Sequence, residues 1–144
     1  MDERRDLSAM LLRIEKSSVH DGEGLRTVVF LKGCNLRCLW CSTPESQQME
    51  AELAFDAARC RDCGVCGNNC RNLELGRSGR VVRERELCRH CWRCRDICPQ
   101  QALFYYGREA GLAEVFDEVL KDEIFYFHSG GGMEVEYQIG RAHV

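Results

Sequence analysis

Eleven cysteines in a chain of 144 residues fall into three groups with none left over. Cys34, Cys38 and Cys41 are spaced C-x3-C-x2-C. Cys60, Cys63, Cys66 and Cys70 are spaced C-x2-C-x2-C-x3-C, and Cys88, Cys91, Cys94 and Cys98 repeat that spacing with Pro99 directly behind. An odd count cannot pair off completely as disulfides. Residues 1–7 are mostly charged and no apolar stretch of signal-peptide length follows them, so a cytoplasmic setting that keeps thiols reduced is expected. The longest apolar run, residues 102–106, is far too short to cross a bilayer. With 20 basic and 23 acidic residues, the chain is not a strongly basic nucleic-acid binder. A hydrophobic content of 44% with 30% charged residues is that of a globular chain rather than a disordered one. The length allows one domain of common size, but not a whole eight-stranded (β/α) barrel of roughly 250 residues.

The two four-cysteine runs match the bacterial ferredoxin run C-x2-C-x2-C-x3-C-P, whose fourth cysteine reaches the other of two clusters. This predicts one [4Fe–4S] cluster on Cys60, Cys63, Cys66 and Cys98, and a second on Cys88, Cys91, Cys94 and Cys70. Arg71 stands where the first run would have its proline, which weakens the turn signal and leaves the ligand count unchanged. Structural zinc competes for C-x2-C pairs. However, zinc takes four ligands, usually as two pairs set well apart, and four cysteines within eleven residues, twice over, suit a cubane better. The three-cysteine group gives a cluster one thiolate short, and an open coordination position marks a reactive metal site rather than a closed one.

With Trp40 inside C-x3-C-x2-C, the first group resembles the radical S-adenosylmethionine (SAM) enzymes. Residues 17–46, SSVHDGEGLRTVVFLKGCNLRCLWCSTPES, resemble the activating enzymes of glycyl radical enzymes. Their aspartate-glycine-x-glycine-x-arginine element is present as Asp21, Gly22, Gly24 and Arg26, with Glu23 in place of the proline usual between the glycines. The paired-cluster insert resembles the subfamily that activates glycerol or diol dehydratases and aryl-compound lyases or decarboxylases. The resemblance implies that Cys34, Cys38 and Cys41 hold the active cluster, whose free iron binds SAM. Reductive cleavage then yields a 5′-deoxyadenosyl radical that takes a hydrogen from a glycine of a partner glycyl radical enzyme. It places Trp40 and Ser42 along the SAM site and residues 21–26 against the partner's glycine loop. The competing readings are an ordinary buried aromatic for Trp40 and a simple turn residue for Asp21.

The implied fold is α/β, the N-terminal portion of a radical SAM partial (β/α) barrel with an inserted ferredoxin-like two-cluster subdomain. Residues 1–50 start the barrel with the C-x3-C-x2-C loop, residues 51–101 form the insert, and residues 102–138 resume the barrel. Residues 27–31 (TVVFL) read as a buried strand, so the active loop follows a strand's carboxyl end. A small strand at residues 11–15 and a short helix at 50–58 are expected. Residues 75–82 read as a turn or hairpin, and Gly111 as the end of an extended stretch at 104–106. Leu112, Val115, Phe116, Val119 and Leu120 recur at helical spacing, with Glu114, Asp117, Glu118 and Lys121 on the other face. Ser129 and the three glycines behind it lead into Met133, Val135 and Tyr137, alternately apolar like a strand, which favours parallel pairing with the first. The glycine-glycine-glutamate element that the family carries at the end of this strand is missing near residues 137–139.

The insert carries ten arginines and five acids between Arg59 and Cys98. They either offset the charge of thiolate-ligated clusters, dock an acidic electron donor such as flavodoxin or ferredoxin, or form a solvated surface. Residues 139–144 (IGRAHV) match what one frame of a sequencing adapter encodes. They read as a non-native tail on a truncated, catalytically weak chain in which only two full strands are visible. Another radical SAM enzyme with auxiliary clusters, or a ferredoxin-like electron-transfer protein, are the alternative functions. The latter leaves Cys34, Cys38 and Cys41 idle. Oxygen sensitivity and an anaerobic cytoplasm follow from an exposed iron. No membrane or nucleic-acid partner is expected.

Overall fold

The computed structural model describes residues 7–70, residue 73 and residues 89–136. Cys88, Arg71, the turn at 75–82, Tyr137, the missing glutamate element and the 139–144 tail lie outside the described residues. In chain order the elements are β1 (Ser8–Ser18), β2 (Arg26–Leu31), β3 (Glu52–Phe55), α1 (Val65–Asn69), α2 (Arg93–Asp96), β4 (Leu103–Tyr106), β5 (Arg108–Gly111), α3 (Leu112–Leu120), α4 (Glu123–Ser129) and β6 (Gly132–Glu136). They divide into two compact units, residues 1–51 with 106–144, and residues 52–105.

The first unit holds a four-stranded sheet in the order β5-β1-β2-β6. β1 runs antiparallel to both β2 and β5. β6 runs parallel to β2, with Arg26 opposite Gly132 and Phe30 opposite Glu136, the pairing expected from the sequence. Side chains alternate across a strand, and one face of this sheet is apolar. Leu11, Val29 and Ala110 pack there with Val119 of α3, and Ile14, Leu31, Val115 and Tyr126 complete the cluster. Thr27, 1% exposed, donates from Oγ1 to Asp122 Oδ2 at 2.8 Å. Lys16 Nζ reaches Glu118 at 2.9 Å and Asp122 at 3.4 Å. These contacts fix the α3–α4 corner on the sheet. Among the described residues no helix is long and apolar enough to cross a membrane.

The structure departs from the sequence reading at several points. Residues 50–58 form no helix. Leu53 and Phe55 sit two apart on β3 and pack against Leu103, so tertiary burial overrides a helix-prone composition. Asp56 ends the strand, accepting at Oδ1 from the Ala58 amide at 2.9 Å. The expected small strand at 11–15 is an eleven-residue strand, and six strands rather than two are present among the described residues. Gly111 ends β5, not the stretch at 104–106. On α3 the core takes Val115 and Val119, whereas Phe116 and Leu120 are exposed.

Two glycine-rich segments lock together beside β2 and β6. The Leu25 amide donates to Ser129 Oγ at 2.9 Å across 104 residues of sequence, and the Gly132 amide donates to Leu25 O at 3.2 Å. Gly24, at φ +73°, lies so close that a Cβ there would sit 2.4 Å from Gly131 N. A Cβ on Gly131 would sit 1.8 Å from Leu25 O. Both approaches are backbone to backbone and cannot relax by turning a side chain. Gly131→Ala is therefore expected to lower stability by about 1–3 kcal/mol, read as a urea midpoint. Gly132→Ala, whose Cβ meets nothing within 4 Å, should leave that midpoint nearly unchanged.

Candidate metal centres

Cys34, Cys38 and Cys41 occupy the loop leaving the carboxyl end of β2. Its base is closed by backbone bonds: the Gly33 and Cys34 amides both donate to Ser46 O, at 2.7 and 3.1 Å. Lys32, only 5% exposed, reaches back to hydrogen-bond Glu45 O from Nζ. Arg13 bonds Glu45 Oε1 at 2.9 Å, and Arg37 donates to Cys34 O at 3.0 Å. Cys34 is buried at this base, while Cys38 and Cys41 are half-buried. Trp40 is 84% exposed and Leu39 97% exposed, so Trp40 is not the buried aromatic of the competing reading. Ser42 is exposed as well. Sequence reasoning passed over Lys32, although a lysine inside a strand-to-loop junction is itself a signal.

In the second unit, one recess, open to solvent on one side, is lined by Cys60, Cys63, Cys66 and Cys98 together with Phe55, Arg61 and Leu103. The fourth cysteine here comes from the other run. Among the described residues, no three cysteine, histidine or carboxylate side chains converge as they would on one bare ion. The sulfurs instead surround a volume. Two of them already accept amide hydrogen bonds: Asp62 N donates to Cys60 Sγ at 3.4 Å, and Ala102 N to Cys98 Sγ at 3.3 Å. Burial pushes the Cys66 thiol up, amide hydrogen bonds from Gly67 and Cys66 itself oppose this, and the Cys98 and Cys63 sulfurs add to the rise. An all-sulfur donor set around a recess, with amides aimed at sulfur, fits an iron–sulfur cluster. Of the second set, Cys70 and Cys94 pack on the same small core, Cys91 is exposed, and Cys88 lies outside the described residues.

The sheet face opposite α3 is charged. Glu15, Val28 and Glu134 stand in one row across β1, β2 and β6, and Arg13, Phe30 and Glu136 in the next. The Arg13 guanidinium lies 4.3 Å from the Phe30 ring centre and bonds Glu15 at 2.5 Å. Arg26 approaches Glu134 at 3.8 Å. Ser18 Oγ hydrogen-bonds the Asp21 carboxylate. Burial raises the Glu136 pKa, the charges of Asp21, Glu134 and Glu15 raise it further, and Arg13 opposes them. Reading only the apolar half of the β6 alternation hid this row; the glutamates at the intervening positions were its signal.

A family model described as a 4Fe-4S single cluster domain matches residues 20–75. The chain is 42% identical over 140 residues to the isethionate sulfite-lyase activating enzyme of Nitratidesulfovibrio vulgaris, covering 91% of the chain and 45% of that protein. It is 41% identical to the (2S)-3-sulfopropanediol sulfolyase activating enzyme of Bilophila wadsworthia, covering 90% and 44%. It is 37% identical to the benzylsuccinate synthase activating enzyme of Thauera aromatica, covering 88% and 40%. The chain thus spans less than half the length of these curated relatives. No solved structure matches it.

Two outcomes follow from the geometry. Because Cys98 shares a recess with the first run, Cys63→Ala and Cys98→Ala should each remove about four irons from reconstituted protein. The double variant should lose no more than either alone. Separately, a raised Glu136 pKa means that its ionised form weakens the fold at neutral pH, and this penalty fades as pH falls through the folded-state value. Glu136→Gln is expected to raise the urea midpoint at pH 7. The gain should vanish below the ordinary glutamate pKa of about 4.3.

Proposed function

The chain is a homologue of the activating enzymes of glycyl radical enzymes, and on that premise we propose that it binds SAM at an iron–sulfur centre and generates a glycyl radical on a partner enzyme. The observation that carries this reading is the three-thiolate loop at the end of β2, closed at its base and bearing no fourth cysteine of its own. When bound there, a cluster with one open iron supplies the electron and the coordination site for cleavage of SAM to methionine and a 5′-deoxyadenosyl radical.

The chain's own residues hold and orient. Cys34, Cys38 and Cys41 ligate this centre. Lys32 and the Ser46 carbonyl fix the loop against β2. Trp40 and Ser42 flank the SAM position, and Asp21, Gly22, Gly24 and Arg26 receive the glycine-bearing loop of the partner. Cys60, Cys63, Cys66 and Cys98 hold a second cluster, and Cys88, Cys91, Cys94 and Cys70 a third, within a ferredoxin-like insert at residues 51–101. The sheet of the first unit is the beginning of a partial (β/α) barrel, supported by the parallel β2–β6 pair, with residues 102–138 resuming it. Flavodoxin or ferredoxin delivers the electron in an anaerobic cytoplasm. The higher identity to activators of a sulfite-lyase and a sulfolyase than to that of benzylsuccinate synthase supports a sulfite-eliminating lyase as the partner.

Anaerobic reconstitution with iron and sulfide is expected to load about twelve irons per chain, with SAM shifting the paramagnetic resonance of one reduced centre. Cys34→Ala, Cys38→Ala or Cys41→Ala should each lower the load to about eight irons and remove the SAM response. A parent chain holding about eight irons, indifferent to SAM, refutes the proposal and leaves an electron-transfer module.

A further inference from the structure

The loop from β1 to β2 opens at a pair of residues whose side chains both reach into it. Ser18 stands opposite Arg26 as the last pairing of the two strands, and residues directly opposite each other share a face of the sheet. The Ser18 hydroxyl hydrogen-bonds the Asp21 carboxylate. From the other side, Arg26 Nε donates to Glu23 O at 3.2 Å. The rest of the guanidinium lies against Gly22, where a Cβ would sit 2.9 Å from Arg26 Cζ and 3.0 Å from Nη2. Gly22 is at φ +124°, so a glycine here serves the turn and also leaves room for the arginine.

The third nitrogen points to β6. Arg26 Nη1 lies 3.8 Å from Glu134 Oε2, and the arginine side chain keeps only 25% of its surface exposed. All three guanidinium nitrogens thus face groups of the same unit: a loop carbonyl, a loop glycine and an acid of the neighbouring strand. An arginine that recognises a partner presents its fork of donors outward; this one turns it inward. An ion pair of this length near the surface adds little energy, so what Arg26 contributes is geometry. It ties residues 22–23 to β2 and β6. Gly22 and Glu23 are exposed at the tip, and Asp21 is half-buried beside them.

We propose that Arg26 is a positioning residue: it meets no group of the partner, and it holds the turn so that the Asp21 carboxylate is the group that does, accepting a backbone N–H of the glycine-bearing segment. This rests on the reading that residues 21–26 receive that segment. An ionised carboxylate is an acceptor only, and its hydrogen bonds to N–H groups are the strong, charge-assisted kind. A loop that must be ordered when the partner arrives loses part of that gain. Ser18 and Arg26 order it beforehand, one holding the Asp21 side chain and the other the backbone that follows.

The test uses the full chain reconstituted anaerobically with iron and sulfide, and an isethionate sulfite-lyase, of the partner class proposed above, as the probe. Affinity is measured by titration calorimetry for the parent, Asp21→Asn, Arg26→Gln and the double variant. Each single variant is expected to bind about tenfold more weakly, with the iron load and the SAM response of the parent. The double variant should bind no more weakly than either single one, because Arg26 acts only through Asp21. A loss of about a hundredfold in the double variant overturns the inference, since Arg26 then meets the partner itself. An affinity unchanged in Arg26→Gln overturns it as well. So does a lower iron load in that variant, which makes Arg26 a residue of the fold rather than of the turn. A parent that loads its irons and answers to SAM but does not bind the lyase overturns the inference together with the partner reading.

Discussion

Sulfur is as much the core of residues 52–105 as hydrocarbon is. Cys66, Leu73 and Leu103 form the buried centre, and Cys70, Cys94 and Cys98 pack on it beside Leu53, Phe55 and Ile97. Around them stand helices of five and four residues and a two-stranded sheet of four-residue strands. Helices of that length are marginal in water, and an isolated pair of strands is no better. Burial also resists ionisation of the Cys66 thiol and raises its pKa, with the Cys98 and Cys63 sulfurs adding to the rise. A multiply charged cationic centre would resolve both problems at once, accepting the thiolates and joining segments distant in sequence. For a unit of this kind, binding free energy is folding free energy.

The first unit solves a different problem. Its sheet has one face to bury and one to keep polar. The apolar face is covered over β5, β1 and β2 by two valines of α3 packed on Leu11, Val29 and Ala110, while Met133 and Val135 of β6 stay exposed. On the other face burial, with the charges of Asp21, Glu134 and Glu15, raises the Glu136 pKa, while Arg13 is shared between Glu15 and Glu45. Arg13 and Lys32 both end on Glu45, the residue before the carbonyl that closes the Cys34 loop. The charged face and the cysteine loop are therefore one hydrogen-bonded assembly, and the loop's base inherits the rigidity of β1 and β2.

What could be read in the sequence follows from which forces are local. The helix at residues 112–120 and the strand at 27–31 carry periodicities that survive in the fold, to within a residue at β2, and of the strand read on Met133, Val135 and Tyr137 the first two lie in β6. The juxtaposition of Cys98 with Cys60, Cys63 and Cys66 in one recess follows from spacing because a short helix within each run, α1 or α2, carries the third cysteine and sets where the fourth falls. β3 was illegible because EAELAFDAA favours a helix until Leu103 is present to reward Leu53 and Phe55. β5, Arg-Glu-Ala-Gly, has no periodicity at all; it exists because β1 offers it an edge. Trp92 was illegible for the opposite reason. A left-handed tryptophan contradicts local preference, and only Tyr105, thirteen residues on, explains it.

The lock between residues 24–25 and 129–132 shows how two motifs, each a bland turn by itself, acquire meaning together. A glycine cluster before a strand and a glycine pair before another are ordinary loop punctuation. Here Gly131 has no Cβ because the Leu25 carbonyl occupies the space, and Gly24 has none because Gly131 does. Ser129, the last residue of α4, satisfies the Leu25 amide while its hydroxyl donates to Phe125 O one turn back in the same helix. The turn bearing Asp21 is thereby tied to α4 and to the first residue of β6. A loop of small polar residues would otherwise be among the least ordered parts of the unit. Two close backbone approaches that only glycine permits, at Gly24 and Gly131, hold it at the start of β2.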